Sequence, residues 1–354
     1  INPSEFTFHS ALFGALLENT EYRNYFVNRY ADLINSIFQP YQYQAVAQEI
    51  KDEMTEAMPR HIDRWNAPES MDFWNVSVNN MLGYLNARIP YARNHIQNQF
   101  NLDDQIEVTL NANPPEAGSI KISTIYNDSN PWTGDYFKGV PVQITAIPNP
   151  GYSFVNWNSN DHLVNLNQAG HLVSLENDDT FTANFTGQAI DADIIISEIN
   201  YHSNDDYDAS DWIELYNRSN TEISLADWVF QDQQFYNTYT LPTEISIPAN
   251  GLIILTNDLE KFQLIHPGVT NVYGDFNFGL SNNEDELNIL DKNGLLVFSM
   301  EYNDEGPWPT AADGEGYTLE LFDPSTNNFG ADSWISECLL GTPGMLYNAD
   351  CLTT

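Results

Sequence analysis

Hydrophobic side chains recur with a helical period along the first hundred residues. The first apolar stripe has spacings of three and four and comprises Tyr22, Phe26, Tyr30, Leu33 and Ile37. Asn19 and Ser70 are suited to cap helices, and Pro40 suits a first helical turn. Pro90 should end or kink a third helix before a short last one. The pattern therefore predicts a helical region over residues 1–103.

The hydrophobic period changes to two near residue 104, as is typical of half-buried strands. Alternating segments include residues 106–110, 140–144 and 181–185, and turn signals rich in Asn, Pro and Gly separate them. They predict a small β domain over residues 104–187.

A second series of short strands begins near residue 190. Residues 194–196, 212–216 and 251–255 are apolar runs, and the sequence Asp-Lys-Asn-Gly at 291–294 is a strong hairpin signal. Many short strands at this spacing favour a β-sandwich over residues 188–354. Because no strands alternate with long helices here, a parallel α/β sheet is disfavoured. The predicted fold class is a multidomain chain, α followed by all-β.

Charge narrows the class of partners. The chain has 50 acidic and 12 basic residues and a formal net charge of −38, and 29 acidic residues but only three basic ones lie in residues 188–354. Such a field repels phosphate backbones and anionic lipid, so we expect neither nucleic acid nor a membrane surface as partner. No stretch approaches the roughly 18 apolar residues that a membrane span needs.

Four aspartates cluster between two predicted strands, in a segment that we call the acidic loop (residues 204–211): Asp205, Asp206, Asp208 and Asp211. Glu198 and Glu214 flank it on those strands. Calcium takes about six to eight oxygen ligands, which such loops supply as carboxylates and carbonyls. The spacing is not that of an EF-hand. We treat the loop as a candidate calcium site, with a solvated acidic loop as the alternative, and the sequence indicates no other cofactor.

Cys338 and Cys351 are the only two cysteines, and Gly341 and Pro343-Gly344 lie between them to turn the chain back. A disulfide between them is one expectation and a pair of reduced thiols is the other. Neither cysteine has the context of a nucleophile, and the histidines show no zinc spacing. We therefore predict no complete active site in this chain.

Four segments near the start of the chain resemble the last helices of the CotH kinase family, the spore-coat-protein-type atypical kinases. They are Leu17–Arg23, Phe26–Leu33, Met58–Trp65 and Asn86–Pro90. In that family the lysine and the metal-binding aspartates precede these segments, so the resemblance implies that the catalytic residues lie upstream. The chain itself has no Gly-x-x-x-x-Gly-Lys loop and no His-Arg-Asp signature.

Two further resemblances cover the rest of the chain. Residues 139–146, 151–157 and 181–185 resemble the divergent internalin B-repeat of bacterial surface proteins. Residues 190–350 resemble a lamin-tail domain, an immunoglobulin-like sandwich, on segments such as Asp211–Asn217. Bacterial lamin-tail domains commonly accompany secreted enzymes, so the resemblance implies an exported protein, extracellular or on the bacterial cell surface.

Together the resemblances imply a non-catalytic C-terminal accessory region that displays or anchors an exported CotH-like protein and contacts cell-surface or matrix material. One alternative is that the helices belong to a working atypical kinase, in which Arg60, His61 and Arg64 could contact phosphate rather than balance helix-end charge. A second alternative is an adhesion or glycan-binding protein. For that function Trp132, Tyr152 and Trp157 would form a sugar platform, although core packing also explains them. The sequence indicates no oligomeric state.

Overall fold

The fold is the predicted combination of an α region and several β-sheets. The computed structural model describes residues 8–127, 129–159, 162–234, 236–349 and 351. These residues divide into two compact units. Unit 1 comprises residues 1–147 and 154–186, and unit 2 comprises residues 148–153 and 187–354. The helical region and most of the first β domain therefore share one unit.

Five helices begin unit 1: α1 (Phe8–Leu16), α2 (Thr20–Asn35), α3 (Pro40–Thr55), α4 (Met58–Trp65) and α5 (Met71–Phe100). The predicted caps are present, because Asn19 accepts a hydrogen bond from the N–H of Tyr22 and Ser70 accepts one from the N–H of Phe73. Pro40 occupies the first turn of α3, as expected.

Pro90 does not end the third helix: α5 continues for ten more residues, so the separate short last helix that the sequence predicted is part of α5. A proline in a helix interior removes one backbone hydrogen bond and is unfavourable by about 3 kcal/mol. The residues beyond it include Ala92, Arg93 and Ile96, which are all buried. Tertiary packing of this last segment therefore outweighs the local cost of Pro90.

The helices leave much of their apolar surface open. Helix α3 has no buried residue, and its apolar side chains Val46, Ile50 and Met54 have exposed fractions of 55%, 51% and 45%. Other exposed apolar side chains on the helices include Tyr25, Phe73, Val76, Met81 and Tyr84. The described helices do not form a closed bundle by themselves.

Eight strands follow, and most of their residues belong to unit 1: β1 (Gln105–Asn113), β2 (Gly118–Ile122), β3 (Ile125–Tyr126), β4 (Trp132–Phe137), β5 (Pro141–Pro148), β6 (Tyr152–Asn158), β7 (Gly170–Ser174) and β8 (Asp179–Gly187). They form two four-stranded sheets with the orders β4-β1-β8-β6 and β3-β2-β5-β7. Strand β1 pairs antiparallel with β4 and parallel with β8. Alternate residues of β1 are buried, which confirms the period of two.

Helix α2 attaches to this β domain through polar side chains. Asp32 is fully buried; its Oδ1 accepts a hydrogen bond from the Tyr136 hydroxyl at 2.7 Å, and its Oδ2 accepts from the N–H and hydroxyl of Thr124 at 3.1 and 2.7 Å. Asn35 exchanges two hydrogen bonds with the backbone of Asp135. Arg93 of α5 donates to the Asn35 side chain and to the same backbone carbonyl. The most buried face of α2 is thus partly polar and is not the predicted apolar stripe.

Unit 2 contains most of the remaining strands in two sheets. The six-stranded sheet has the order β16 (Val272–Tyr273), β15 (Leu252–Thr256), β10 (Trp212–Asn217), β9 (Ile194–Asn200), β19 (Leu319–Leu321) and β20 (Trp334–Ile335). The four-stranded sheet has the order β13 (Thr238–Thr240), β12 (Val229–Gln231), β17 (Glu284–Leu290) and β18 (Leu296–Asn303). The strands β11 (Ile223–Ser224) and β14 (Ser246–Ile247) form a separate pair, and α6 spans Leu259–Ile265.

One hydrophobic core lies between the two larger sheets of unit 2. It contains Ile213 and Leu215 from β10, Phe230 from β12, and Leu287 and Ile289 from β17. Strands β17 and β18 form the predicted hairpin around residues 291–294. Residues on two facing sheets that share one core are the defining feature of a β-sandwich. Among the described residues, no helix is long and apolar enough to cross a membrane.

Candidate functional site

The four aspartates of the acidic loop do not converge. Asp205 and Asp206 are exposed, and Asp208 pairs with the Lys261 ammonium. Asp211 turns inward, and its Oδ2 accepts a hydrogen bond from the N–H of Leu280 at 2.9 Å. Within the described ranges no three His, Cys, Asp or Glu side chains form a group that could hold a metal ion.

Burial raises the pKa of the Asp211 carboxyl to about 6, whereas the hydrogen bond from Lys261 lowers the pKa of Asp208. The carboxylates of Asp208 and Asp211 therefore have different hydrogen-bond partners. Calcium binding at the acidic loop stays a prediction. A rise in melting temperature in calcium over sodium chloride of equal ionic strength would support it.

A different acidic feature is buried in unit 2, and we call it the glutamate row (Glu198, Glu214 and Glu320). Glu198 lies directly opposite Glu214 on β10 and directly opposite Glu320 on β19. The exposed fractions of the three residues are 1%, 0% and 1%. Side chains directly opposite each other on antiparallel strands lie on the same face, with Cβ atoms about 4.5–5.5 Å apart. Three carboxyl groups are thus adjacent and excluded from water.

The glutamate row binds the segment between residues 338 and 344, which we call the closing segment. Glu198 Oε1 accepts hydrogen bonds from the Thr342 N–H at 2.9 Å and from the Thr318 hydroxyl at 2.6 Å. Glu320 accepts from the Thr342 hydroxyl at 2.7 Å and from the Cys338 N–H at 3.4 Å. Glu214 Oε2 accepts from the Gly344 N–H at 2.6 Å. Together the three glutamates therefore anchor the closing segment at Cys338, Thr342 and Gly344.

Glu214 and Glu198 have further features that orient the row. A register shift between β9 and β10 falls after Glu214, and the Ser197 hydroxyl donates to Glu214 Oε1 at 2.8 Å. The second oxygen of Glu198, Oε2, is buried without a hydrogen-bond partner among the described residues.

Gly341 packs directly against Glu198. It has a φ of 73°, and a Cβ atom at this position would overlap the Glu198 carboxyl group. Only glycine combines the left-handed backbone with so close an approach.

Burial raises the pKa of all three carboxyls of the row. The pKa of Glu198 lies well above its usual value, because burial and then the neighbouring Glu214 and Glu320 disfavour its charge. Burial raises the pKa of Glu214 to about 8 and that of Glu320 to about 6. At neutral pH the raised pKa values favour the protonated form of Glu198 and Glu214, so the row does not carry three negative charges.

Sequence reasoning assigned Glu198 and Glu214 to the flanks of the acidic loop and did not single out Glu320. One sequence signal was available. Each of the three glutamates sits inside an apolar strand, in the sequences Ile-Ser-Glu-Ile, Trp-Ile-Glu-Leu and Leu-Glu-Leu. A charged residue in a fully buried strand indicates a specific partner, but the sequence does not show that the three lie opposite one another.

Cys338 and Cys351 are joined by a disulfide with a Cα–Cα separation of 5.6 Å. This bond links the start of the closing segment to the end of the described chain. The segment is thus held by the glutamate row along its length and by a covalent bond at one end.

Arg64 and the aromatic residues of the candidate sugar platform pack against other side chains of the protein. The Arg64 guanidinium lies over the Trp65 ring at 4.8 Å, as expected for an arginine stem packed on an aromatic. Trp132, Tyr152 and Trp157 are buried, with exposed fractions of 8%, 7% and 0%. These three aromatic side chains do not present an open sugar platform.

Comparison with known families gives three matches in chain order. Residues 3–92 match the model of the CotH kinase protein family, residues 108–189 match the divergent InlB B-repeat domain, and residues 186–304 match the lamin tail domain. No curated protein matches this chain.

Among solved structures, the crystal structure of a DUF4876 family protein from Bacteroides thetaiotaomicron aligns with 70% of this chain and 96% of its own chain. The sequence identity is 10% and the TM-score is 0.28, and we draw nothing from this similarity. The family matches have the order that the sequence motifs predict. The chain therefore joins a CotH kinase family segment, a divergent InlB B-repeat and a lamin tail domain.

Proposed function

We propose that this chain is a non-catalytic accessory region of an exported CotH-type protein, in which unit 1 supports the remainder of a CotH-type domain. The observation that carries the proposal is the open apolar stripe of α3, formed by Val46, Ile50 and Met54. Exposed apolar patches of this kind mark surfaces that another part of a protein covers. The stripe lies within the segment that matches the CotH family.

The contacts of α2 support the same function. Asp32, Asn35 and Arg93 fasten the helices to the B-repeat domain through buried hydrogen bonds. Buried polar groups with every partner in place fix one arrangement of the elements that they join. The B-repeat domain would thus act as a rigid platform for the helices, while α3 and the exposed face of α5 remain open to a covering domain.

The disulfide favours a location outside the cell, because disulfides persist mainly in oxidising compartments. The sequence contains no phosphate-binding Gly-x-x-x-x-Gly-Lys loop. Phosphoryl transfer needs metal ions and a cationic group at the phosphates, which such a loop and its partners supply in many enzymes.

The open stripe is testable by substitution. The triple variant Val46→Gln, Ile50→Gln and Met54→Gln should leave the melting temperature of unit 1 unchanged within about 2 °C, because exposed positions contribute little and glutamine forms helices well. The matched control, Val27→Gln with Ile34→Gln on α2, should lower it strongly, because both side chains are buried. An equally large loss in the triple variant would show that the stripe is already packed.

The prediction that this chain does not transfer phosphate from ATP is tested separately. Incubation of the chain with ATP and magnesium or manganese should release no more ADP than a boiled sample. Turnover that survives repurification would contradict the proposal.

A second candidate function rests on the CotH match over residues 3–92. In that proposal the helices complete a working atypical kinase whose catalytic residues lie upstream of this chain.

A further inference from the structure

The lamin tail domain contains a cavity of about 750 Å³ beside the closing segment. Its lining comprises His266, Gly268, Val269, Leu339, Gly341, Thr342, Pro343, Met345, Leu346, Asn348 and Cys351. Ligand pockets typically have volumes of about 300–1,000 Å³ and a mainly apolar lining with a few polar groups. The cavity matches both criteria.

Hydrogen bonds, a disulfide and aromatic packing hold the lining residues of this cavity in place. On one side, Gly341 and Thr342 are fixed by the glutamate row, and the Cys338–Cys351 disulfide closes the chain around the lining residues. On the other side, His266 packs on the rings of Phe262 and Trp212, with centroid distances of 4.9 and 6.0 Å. The cavity is therefore formed before any ligand arrives, which reduces the entropic cost of binding.

The rim of the cavity is apolar and exposed. Leu339 and Met345 have exposed fractions of 57% and 64%. A pocket for a small molecule usually covers its apolar lining, whereas exposed apolar side chains around a pocket are typical of a surface for a protein partner. Methionine adds an adaptable contact of the kind that peptide-binding surfaces use.

The charge of the cavity lining and of the surrounding domain determines which protein segments can bind. His266 is the only ionisable nitrogen group in the lining, and burial lowers its pKa to about 4, so it is neutral at pH 7. The exposed Glu337 carboxylate accepts a hydrogen bond from the hydroxyl of Tyr347, which lies in sequence between the lining residues Leu346 and Asn348. Residues 188–354 carry 29 acidic residues and only three basic ones.

Two of those basic residues are engaged in the fold. Arg218 donates to the backbone carbonyls of Ala192 and Thr326, and Lys261 pairs with Asp208. An anionic partner would therefore meet a strongly negative surface with little to compensate it, whereas a cationic one would be attracted.

We propose that this cavity binds a basic protein segment, which inserts an apolar side chain while its lysines or arginines are attracted by the acidic residues of unit 2. The site lies within unit 2, and it is independent of the proposed function, since it requires neither a CotH partner nor the absence of phosphate transfer.

The test uses the whole chain and short fluorescent peptides in which leucine or phenylalanine alternates with lysine. Three comparison sets replace the lysines by serine, the lysines by glutamate, or the apolar residues by serine. We expect the peptides that alternate lysine with leucine or phenylalanine to bind at least about tenfold more tightly than each comparison set. Their affinity should fall as the sodium chloride concentration rises.

Variants locate the site. Gly268→Leu should weaken binding at least about tenfold, because a Cβ there meets no atom within 4 Å and the new side chain can enter the cavity without disturbing the fold. Gly83→Leu on α5 has the same open surroundings and should have no effect. Met345→Lys should weaken binding, whereas Leu264→Lys should not, although Leu264 has an exposed fraction of 78% on the same domain.

Each contrary result overturns the proposal. A basic partner would be excluded if the lysine-containing peptides fail to bind. It would also be excluded if the peptides with serine in place of lysine bind as tightly as they do. Unchanged affinity in Gly268→Leu would show that basic peptides adsorb to the acidic surface and do not enter the cavity. None of these results bears on the phosphotransfer assay or on the α3 variants, so the two proposals fail separately.

Discussion

Glu198, Glu214 and Glu320 illustrate at the residue scale how burial reverses the usual behaviour of a carboxyl group. On the surface each would be charged and solvated. In the six-stranded sheet the three lie opposite one another, and they hold the closing segment through the backbone N–H groups of Cys338, Thr342 and Gly344. The protonated form tolerates this crowding, whereas three adjacent charges would repel one another without water to screen them.

The glutamate row should make unit 2 less stable at alkaline pH. The folded-state pKa values are raised, so the folded protein binds these protons more tightly than the unfolded chain. Their contribution to stability is complete below the ordinary pKa of about 4.5 and is lost as pH rises through about 6 for Glu320 and about 8 for Glu214. Melting temperatures measured between pH 5 and pH 9 should therefore fall with pH.

Glu198→Gln should flatten this dependence. The glutamine keeps the acceptor for Thr342 and Thr318, and its amide nitrogen replaces the oxygen that has no partner. Each unit of pKa displacement corresponds to about 1.4 kcal/mol, and each kcal/mol to about 2–4 °C in a domain of this size. The variant should melt several degrees above the wild type at pH 9 and close to it at pH 5. The exposed Glu315→Gln is the control, and an equal slope in both variants would show that the row is not responsible.

At the scale of elements, α2 and α3 show that apolar periodicity identifies a helix without identifying what covers it. Helix α2 buries Val27, Ala31 and Ile34 together with the polar Asn28 and Asp32. Helix α3 has an equally regular stripe and buries no residue. The difference arises because the B-repeat domain offers hydrogen-bonding groups to α2, whereas α3 contacts α4 and α5 and buries no residue against them.

Removing the Asp32 carboxylate should loosen the attachment of α2 to the B-repeat domain. Asp32→Ala leaves the Tyr136 hydroxyl and the Thr124 N–H without their acceptor, which costs about 1–3 kcal/mol for a buried group. Denaturant unfolding followed by circular dichroism at the helical signal should show this loss. Asp63→Ala on α4 is the matched control, because Asp63 is exposed and its loss should change little. Similar midpoints for the two variants would mean that the buried contact does not hold the helix.

At the scale of the whole molecule, the chain has two compact units, and the disulfide belongs to the second. Each unit has its own buried side chains, including Val108, Leu110 and Phe181 in unit 1 and Ile213 and Phe230 in unit 2. Units with separate cores commonly unfold in separate steps.

Reduction of the disulfide should therefore lower the unfolding transition of unit 2. A loop of this length contributes about 3 kcal/mol in the chain-entropy model. Intact-mass analysis should show a gain of two hydrogens on reduction, and calorimetry should show the transition of unit 2 shifted downward by about 6–12 °C. The double variant Cys338→Ser and Cys351→Ser should not respond to reductant. Two free thiols in air-oxidised protein would refute the bond.

The sequence by itself determined the features that depend on near neighbours. The helix caps at Asn19 and Ser70, the hairpin between β17 and β18, the order of helical and β regions, and the acidic bias of residues 188–354 all follow from local pattern or composition. Such features are predictable because capping, turn geometry and hydrophobic period act over a few residues.

Only the tertiary structure decided which side chains share a site. Glu320 meets Glu198 through the pairing of β9 with β19, and Asp211 turns toward Leu280 rather than toward the other aspartates of its loop. Helix α5 continues past Pro90 because its last segment is buried, and α3 keeps a half-exposed apolar stripe although it contacts α4 and α5. These outcomes depend on partners far along the chain and on exclusion of water, which reverses the cost of placing a carboxyl group and which no local pattern encodes.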